Sequence, residues 1–265
     1  MRYGFVGTGE ITAAIVAGLS TAADPPEVFL SPRGRAVSAR LAERFPNVRV
    51  CADNQDVLDH APAIVLAVPA PVARDVLAEL SFRPEHVLIS ATAGVPPERL
   101  RAWSAPAGAV VRSIPLPQAT RRRSLTVMYP DNAVARELFT RVGGVLVPGD
   151  EAALDTFHGA TAAFSAHLDY LGTIVDWMAA RGVDPGAASA FVTHVFGELG
   201  SSLLERPDSL TVMSTRHTTP GGLNEQFRDD LRRDGVPDAV RRALDRDPGP
   251  GAGMTRQAGV FRRAR

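Results

Sequence analysis

Short apolar runs alternate with amphipathic segments of helical period through the first half of the chain. Helical segments such as Ile11–Leu19, Ala36–Phe45 and Val72–Leu80 lie between the runs. Alternation of this kind is typical of βαβ units around a mostly parallel sheet. The unbroken apolar run Ala63–Val68 indicates that helices cover both faces of this sheet. The predicted strands are Tyr3–Val6, Val28–Leu30, Val48–Cys51, Ala63–Val68, Val87–Ile89, Ala109–Val111, Leu125–Met128 and Val145–Val147, with a helix near Asp131 before the last strand.

The pattern changes after Gly149, where strand-like runs end and helical spacing takes over. One helical stretch covers residues 151–181, and Asp184 followed by Pro185 is a capped helix start. Further helices are predicted from there to Glu205, after Pro207, from Gly221-Gly222 through Arg233, and over Pro237–Leu244. We therefore predict an α/β domain over residues 1–149 and an all-helical domain over residues 150–246. Residues 247–265, rich in glycine, proline and arginine, are predicted to form a flexible basic tail.

Composition excludes several classes of protein. The formal net charge of +0 argues against nucleic-acid binding through phosphate neutralisation. The single cysteine, Cys51, allows neither an intrachain disulfide nor a multi-cysteine metal site, and no metal is predicted. No apolar run approaches the ~20 residues of a membrane span, and Met1–Val6 has the pattern of a strand and not of a signal peptide. These features predict a cytoplasmic enzyme or binding protein with no nucleic-acid or membrane partner.

A glycine-rich turn joins the first predicted strand to the first predicted helix. Gly7 suits the tight turn, and Gly9 lets a pyrophosphate approach the backbone beside the N–H groups of the helix start. Thr12 occupies the third small position of this fingerprint, in place of glycine or alanine. At the first turn of a βαβ array, the pattern predicts a dinucleotide-binding domain of the Rossmann type. The alternative is a glycine turn that binds nothing.

The end of the second predicted strand indicates which dinucleotide is used. NAD enzymes usually carry an acidic residue there for the ribose 2′-hydroxyl, and this chain has none. Ser31 could donate to a 2′-phosphate, and Arg33, with Arg35 as a second candidate, could pair with it. The alternative is that these are solvated loop arginines. We predict NADP(H) as the cofactor.

An ordered set of motifs follows the glycine turn along the chain. They are Ser31-Pro32-Arg33, Asp53-Asn54, Leu66-Ala67-Val68-Pro69, Ile89-Ser90-Ala91-Thr92-Ala93-Gly94-Val95, Val111-Arg112-Ser113-Ile114-Pro115 and Thr219-Pro220-Gly221-Gly222-Leu223-Asn224. Together they resemble pyrroline-5-carboxylate reductases, which reduce a cyclic imino acid to proline with a nicotinamide cofactor. The resemblance spans residues 1–244. It implies a dinucleotide-binding domain followed by an all-helical dimerisation domain, and a homodimer or higher homo-oligomer.

The resemblance also implies where the cofactor binds. Its predicted contacts are Gly7, Thr8, Gly9, Glu10 and Ile11 at the pyrophosphate, Ser31 and Arg33 at the 2′-phosphate, Asn54 near the adenosine, Val68 and Pro69 beside the ribose and nicotinamide, and Ala91 and Ala93 under the nicotinamide face. Small side chains at the last two positions leave room for hydride transfer.

The late Pro-Gly-Gly segment holds the substrate carboxylate in the family that the chain resembles, often from the partner subunit. Gly221 and Gly222, at a predicted helix start, can present backbone N–H groups to an anion. Thr218 supplies a hydroxyl donor, and Leu223 completes the predicted substrate-binding residues. The alternative is an ordinary capped helix.

Little acid–base chemistry is needed when hydride is transferred to a protonated imine, because orientation and exclusion of water suffice. The predicted catalytic residues are Asn224, Thr219 and His217. Asn224 can donate its amide N–H to a carbonyl or an unprotonated imine but cannot supply a proton. If a proton donor is needed, the candidates in the helical half are His158, His167, His194, His217, Tyr170 and Asp169. His217, next to Thr218 and Thr219, is the first of them, with an ordinary helix-end residue as the alternative.

Two departures from the family pattern leave the substrate open. Leu116 replaces a polar residue near the nicotinamide, and Asn224 replaces a threonine that can bond the imine nitrogen. The complete absence of lysine excludes Schiff-base chemistry and the lysine-dependent β-hydroxyacid dehydrogenases. The sequence thus predicts an NADPH-dependent reductase of a small cyclic imine that carries a carboxylate, with two alternatives. These are a reductase of a different imine or ketone, and a non-catalytic NADP-binding sensor.

Overall fold

The computed structural model describes residues 1–205 and 208–246. The predicted basic tail over residues 247–265 lies outside the described residues. Two compact units are present, one containing Met1–His158 and the other beginning at Gly159. The division falls inside a helix, whereas the expected domain boundary is Gly149.

The first unit contains every strand that the apolar runs predict. Its strands are β1 (Arg2–Val6), β2 (Glu27–Leu30), β3 (Val48–Val50), β4 (Ala63–Leu66), β5 (Val87–Ser90), β6 (Ala109–Ile114), β7 (Ser124–Tyr129) and β8 (Gly143–Leu146). Its helices are α1 (Glu10–Ser20), α2 (Arg35–Arg44), α3 (Asn54–His60), α4 (Ala70–Ala78), α5 (Pro97–Trp103) and α6 (Ala133–Arg141), with a 3-10 turn over Pro117–Arg121. The pattern does not predict α3 and α5, because seven residues are too few to show a helical period.

The sheet has the strand order β3-β2-β1-β4-β5-β6-β7-β8. Strands β1 to β6 are parallel, β7 runs antiparallel to β6, and β8 is parallel to β7. The chain places β2 and β3 on one side of β1 and then crosses over to place β4 to β8 on the other side. Such a reversal opens a crevice at the carboxyl ends of β1 and β4, which is where dinucleotides bind in folds of this type. The predicted fold class is confirmed.

Alternating side chains of the strands build two hydrophobic cores, one on each face of the sheet. Ala63 and Val65 belong to one cluster, and Ile64 and Leu66 belong to the other. All four of these residues are fully buried. The prediction that helices cover both faces is therefore confirmed.

An arginine in β6 attaches the start of α7 (Glu151–Ala160) to the first unit. The side chain of Arg112 is only 11% exposed, and its two terminal nitrogens bond Glu151 at 3.0 Å and Asp155 at 2.7 Å. Both carboxylates lie on the first two turns of α7. These ion pairs explain why the first unit extends beyond Gly149.

The second unit is helical, as predicted. It contains α8 (Ala163–Ala179), α9 (Pro185–Glu205), α10 (Leu210–Arg216), α11 (Leu223–Arg233) and α12 (Val236–Leu244). The predicted continuous helix over residues 151–181 is interrupted by a turn at Thr161 and Ala162. Tyr170 of α8 packs edge-on against Phe196 of α9, with ring centroids 6.5 Å apart.

Much of the apolar surface of the second unit is exposed. In the described part of the chain, α8 has no buried side chain although it is 17 residues long. Leu168 is 68% exposed, Trp177 56% and Leu223 83%. Patches of this kind usually mark an interaction surface in a folded protein. Within residues 1–205 and 208–246, no helix combines the length and apolar character needed to cross a bilayer.

Candidate functional site

Four loops of the first unit meet at the carboxyl edge of its sheet. The register aligns Phe5 of β1 with Leu30 of β2, and Val6 of β1 with Leu66 of β4. Leu66 is in turn aligned with Ser90 of β5. Because these parallel strands end level with one another, the predicted cofactor-binding segments after β1, β2, β4 and β5 share one edge.

The glycine turn after β1 combines a crowded position with an open one. Gly7 has φ 98°, and a Cβ on it would lie 2.6 Å from the carbonyl oxygen of Ala67. Gly9 precedes α1 in an extended conformation, and a Cβ on it would meet no atom within 4 Å. The space in front of Gly9 therefore adjoins the N-terminus of α1, where Glu10 and Ile11 begin the helix and the first N–H groups have no helical acceptor. This space fits a pyrophosphate group.

Thr12 explains the departure from the usual glycine fingerprint. Its side chain is fully buried, and its hydroxyl donates to the carbonyl oxygen of Gly7 at 2.7 Å. A glycine or alanine at this position could not make the bond. The threonine thus stabilises the turn, a role that sequence reasoning did not assign to it.

Thr12→Val is expected to lower the free energy of unfolding by about 1–2 kcal/mol, because it leaves the Gly7 carbonyl without its donor at similar side-chain volume. Urea denaturation followed by circular dichroism measures this change. Thr21→Val is the control, since the Thr21 hydroxyl also bonds a backbone carbonyl of α1, Ala17 at 3.0 Å, but at an exposed helix end. Equal losses in the two variants would contradict the role of Thr12 in the turn.

The loop after β2 is fastened to the glycine turn by two hydrogen bonds. The N–H of Gly7 donates to the Ser31 hydroxyl oxygen at 3.2 Å, and the Thr8 hydroxyl donates to the Arg33 carbonyl. Thr8 and Ser31 are both buried. The structure therefore gives these two residues a supporting role in the turn. Their direct contact with a phosphate stays a prediction.

Arg33 is the exposed cationic group of this loop. Its guanidinium forms no ion pair or hydrogen bond within the described part of the chain, and its backbone is held by Thr8. An unpaired guanidinium can form a bidentate, charge-assisted contact with a phosphate. The structure thus leaves Arg33 exposed in a loop that Thr8 fastens to the glycine turn.

The amide of Asn54 lies at the start of α3, after the edge strand β3. Asp53 caps this helix by accepting the N–H of Asp56 at 2.8 Å. Oδ1 of Asn54 is buried and has no hydrogen-bond partner among the described residues. Because a buried amide oxygen without a donor is costly, it fits a ligand hydroxyl or N–H at this position.

The loops after β4 and β5 are joined by a buried threonine. The Thr92 hydroxyl donates to the carbonyl of Val68 at 2.9 Å, and Thr92 was not among the predicted site residues. Pro69 is exposed at the start of α4, Ala91 is half-buried and Ala93 is exposed. Short side chains at the two alanines leave this stretch of the sheet edge free of bulk. A hydroxyl residue placed between the two small residues Ala91 and Ala93 is the sequence signal that could have identified Thr92.

The Pro-Gly-Gly segment of the second unit is more fully paired than expected. The N–H of Gly221 donates to the carboxylate of Glu225 at 2.7 Å, and the N–H of Gly222 donates to the Thr219 carbonyl at 2.9 Å. Glu225 reaches back from the first turn of α11, as the glutamate of a capping box does. Both N–H groups therefore already have acceptors within the unit, and their contact with a substrate carboxylate stays a prediction. Sequence reasoning missed Glu225, although an acidic residue three positions after the N-cap residue Gly222 was the signal.

Three of the predicted residues line a cavity of about 720 Å³ in the second unit, namely His217, Thr218 and Asn224. The Asn224 amide donates to the His217 carbonyl at 2.8 Å, and the Thr218 hydroxyl donates to the Ser214 carbonyl at 2.7 Å. Thr219, Gly221, Gly222 and Leu223 are not among its lining residues. The other walls are mainly apolar side chains, including Tyr170, Phe196, Leu199, Met213 and Phe227.

Comparison with known proteins gives consistent results. Residues 2–94 match the family model of NADP oxidoreductases that are coenzyme F420-dependent. A pyrroline-5-carboxylate reductase of Pseudomonas aeruginosa is 24% identical over 269 aligned positions, which cover 97% of this chain and 98% of the relative.

Solved structures of similar proteins show the same fold. A pyrroline-5-carboxylate reductase from Coxiella burnetii superposes with a TM-score of 0.78 at 21% identity, covering 92% of this chain and 94% of that one. The Plasmodium falciparum pyrroline carboxylate reductase, solved with NADP bound, has a TM-score of 0.75 at 16% identity and covers 92% and 94%. The predicted resemblance is confirmed: this chain has the fold of the pyrroline-5-carboxylate reductases and resembles them in sequence over most of its length.

Proposed function

We propose that the protein is an NADPH-dependent reductase of a cyclic imine, similar in reaction to pyrroline-5-carboxylate reductase. The observation that carries the proposal is the open space at Gly9 beside the start of α1, next to a loop after β2 that Thr8 fastens to the glycine turn and that carries the exposed Arg33. The sequence likeness over 97% of the chain supports the class of reaction.

The residues of the first unit fit a bound NADPH. The N–H groups at Gly9 and the start of α1 receive the pyrophosphate, Arg33 pairs with the 2′-phosphate, and the unpaired oxygen of Asn54 accepts a ribose hydroxyl. The short side chains of Ala91 and Ala93 leave the sheet edge open for the nicotinamide ring. When bound, NADPH supplies the hydride. The protein binds the cofactor in one orientation, so that reaction proceeds without a large entropic cost at the moment of transfer.

Polar groups of the second unit are proposed to orient the substrate. His217, Thr218 and Asn224 bring an imidazole, a hydroxyl and an amide to one cavity wall. His217 is the proposed proton donor for an imine that arrives unprotonated, and Thr219 is a further hydroxyl donor. A substrate carboxylate is proposed to bind the N–H of Gly221 by displacing Glu225. The roles of these residues rest on the family resemblance and on their chemistry.

The direct test mixes the purified protein with NADPH and pyrroline-5-carboxylate and follows the NADPH absorbance. We expect cofactor oxidation that depends on both enzyme and substrate, with NADH as the poorer cofactor. Saturable binding of NADPH with no turnover of any imine or ketone would favour the non-catalytic sensor. Absence of NADPH binding would remove the proposal altogether.

A different imine or ketone is the second candidate substrate. Leu116 places an apolar side chain after β6, and the Asn224 amide already donates to a backbone carbonyl. Both observations favour a substrate with fewer polar contacts than pyrroline-5-carboxylate. A panel of cyclic imines and ketones in the same absorbance assay distinguishes the two candidates by the ratio of kcat/KM values.

Glu225→Gln is expected to lower the KM for a carboxylate-bearing imine about 2- to 5-fold, because a neutral amide competes less with the substrate anion for the N–H of Gly221. Steady-state NADPH oxidation measures both KM and kcat. Asp230→Asn is the control, since it removes the same charge further along α11, where Asp230 pairs with Arg233 at 2.8 Å. An unchanged KM, or an equal decrease in both variants, would argue against a carboxylate at Gly221.

The exposed apolar surface of the second unit is proposed to be covered by a second copy of the chain. Leu168, Trp177 and Leu223 are each more than half exposed, and burying such side chains is favourable. We expect a homodimer or larger homo-oligomer at micromolar concentration in sedimentation velocity. A monomer under these conditions would contradict this part of the proposal. The predicted cytoplasmic location stays a prediction.

A further inference from the structure

A cluster of three metal-binding residue types lies at the edge of the sheet, outside the residues assigned to NADPH. Cys51 directly follows the edge strand β3, and Asp56 and His60 are one helical turn apart on α3. The ligating sulfur, oxygen and nitrogen atoms of these three side chains all lie within 4.8 Å of one another. The residue after β3 and the first helix after it thus bring three ligand types to one point.

Surrounding contacts hold each of the three side chains in place. Oδ2 of Asp56 accepts the N–H of Ala52 at 2.8 Å, while Oδ1 lies 3.1 Å from Nδ1 of His60. The His60 ring stacks on the buried ring of Phe29, with centroids 4.9 Å apart. Cys51 is 8% exposed, and its N–H donates to the Leu30 carbonyl at 2.9 Å. Ligands that are oriented by neighbouring groups are typical of metal sites in proteins.

We propose that Cys51, Asp56 and His60 bind one divalent transition-metal ion of the zinc class. A thiolate, a carboxylate and an imidazole form the mixed sulfur, oxygen and nitrogen set that suits Zn²⁺ and Co²⁺, whereas Mg²⁺ and Ca²⁺ take oxygen ligands. The thiolate and carboxylate together neutralise a 2+ charge. Three protein ligands leave a fourth tetrahedral position, which water fills because Asp56 is half-buried and His60 is exposed.

The thiol proton of Cys51 and one hydrogen bond of His60 must give way when the ion binds. Burial and the nearby Asp56 carboxylate raise the pKa of the Cys51 thiol to about 12, so the metal replaces the thiol proton, which passes to solvent. Nδ1 of His60 also lies 2.8 Å from the Asp56 carbonyl oxygen, so binding through Nδ1 breaks this contact and places the ring proton on Nε2. The carboxylate of Asp56 is already an acceptor and needs no such change.

The site is independent of the proposed reductase activity. Its residues join the end of β3 to α3, and α3 begins with the proposed cofactor residue Asn54. A bound ion would therefore cross-link these two elements and raise the thermal stability of the first unit. This rise in stability can be measured without turnover and without NADPH binding.

Titration of the full chain with Co²⁺ tests the proposal, because a cobalt–thiolate bond gives a near-ultraviolet charge-transfer band. We expect one ion per chain with this band, and a rise in Tm on adding Zn²⁺. Cys51→Ser is expected to abolish the band, and His60→Gln to weaken binding at least about 10-fold. His194→Gln removes an exposed histidine of the second unit and is the control that should bind as the wild type does.

Two results would overturn the site. One is Co²⁺ binding without a charge-transfer band, which would show that the sulfur is not a ligand. The other is unchanged affinity in His60→Gln. Because His60 is exposed, this second variant remains informative even if replacement of the buried Cys51 destabilises the protein, and the Tm of each metal-free variant is measured alongside.

Discussion

Gly9→Val is expected to fold like the wild-type protein and to bind NADPH about 100-fold more weakly. A side chain at this position meets no protein atom within 4 Å, and the backbone there is extended, which valine readily adopts. The valine would instead fill the space proposed for the pyrophosphate. Overpacking of this kind costs about 1–3 kcal/mol, and about 2.7 kcal/mol corresponds to 100-fold in affinity.

Fluorescence titration with NADPH measures the dissociation constant, and thermal unfolding measures the stability of the free protein. Gly149→Val is the matched control, because Gly149 also has open space around it but follows β8, at the far edge of the sheet from the glycine turn after β1. We expect a small loss of Tm in Gly9→Val, because valine is a poorer N-cap residue than glycine, and no change of Tm in Gly149→Val. Wild-type NADPH affinity in Gly9→Val would mean that no dinucleotide uses this turn.

Arg33→Ala is expected to weaken NADPH binding about 10- to 150-fold and to leave NADH binding unchanged. The Arg33 guanidinium is exposed and has no partner in the described part of the chain, so its removal breaks no contact within the protein. A charge-assisted hydrogen bond to a phosphate contributes about 1.5–3 kcal/mol, and NADH lacks the 2′-phosphate.

Paired titrations with the two nucleotides measure this discrimination. Arg2→Ala is the control, since Arg2 is an exposed arginine at the opposite, amino-terminal end of β1. It should change neither affinity by more than a small electrostatic effect. Equal weakening of both nucleotides in Arg33→Ala would show that the arginine contacts another part of the cofactor.

Local patterns of the chain were sufficient to predict the architecture. Apolar runs such as Ala63–Val68 identify strands, since a strand covered on both faces needs apolar residues at consecutive positions. Longer helices show their period directly, and α9 begins at Pro185 as its capping residues predict. The short helices α3 and α5 escaped prediction because one or two turns carry too little periodic signal.

The candidate site was only partly predictable. The glycine turn, the arginine after β2 and the small residues after β5 are recognisable because each acts through its own backbone or side-chain type. Thr12 and Thr92 were missed, since their roles depend on which carbonyl their hydroxyls meet after folding. The pairing of Glu225 with Gly221 was missed for the same reason.

The sequence by itself determined the order of the strands and longer helices along the chain, the position of the glycine turn and the absence of an acidic residue directly after β2. These properties depend on neighbouring residues, so a linear pattern carries them. Only the tertiary structure decided that Ser31 is buried against Gly7, that Arg33 is left unpaired, and that Cys51 meets His60. Burial and pairing depend on how loops and helices pack in the folded chain, so a linear pattern does not carry them.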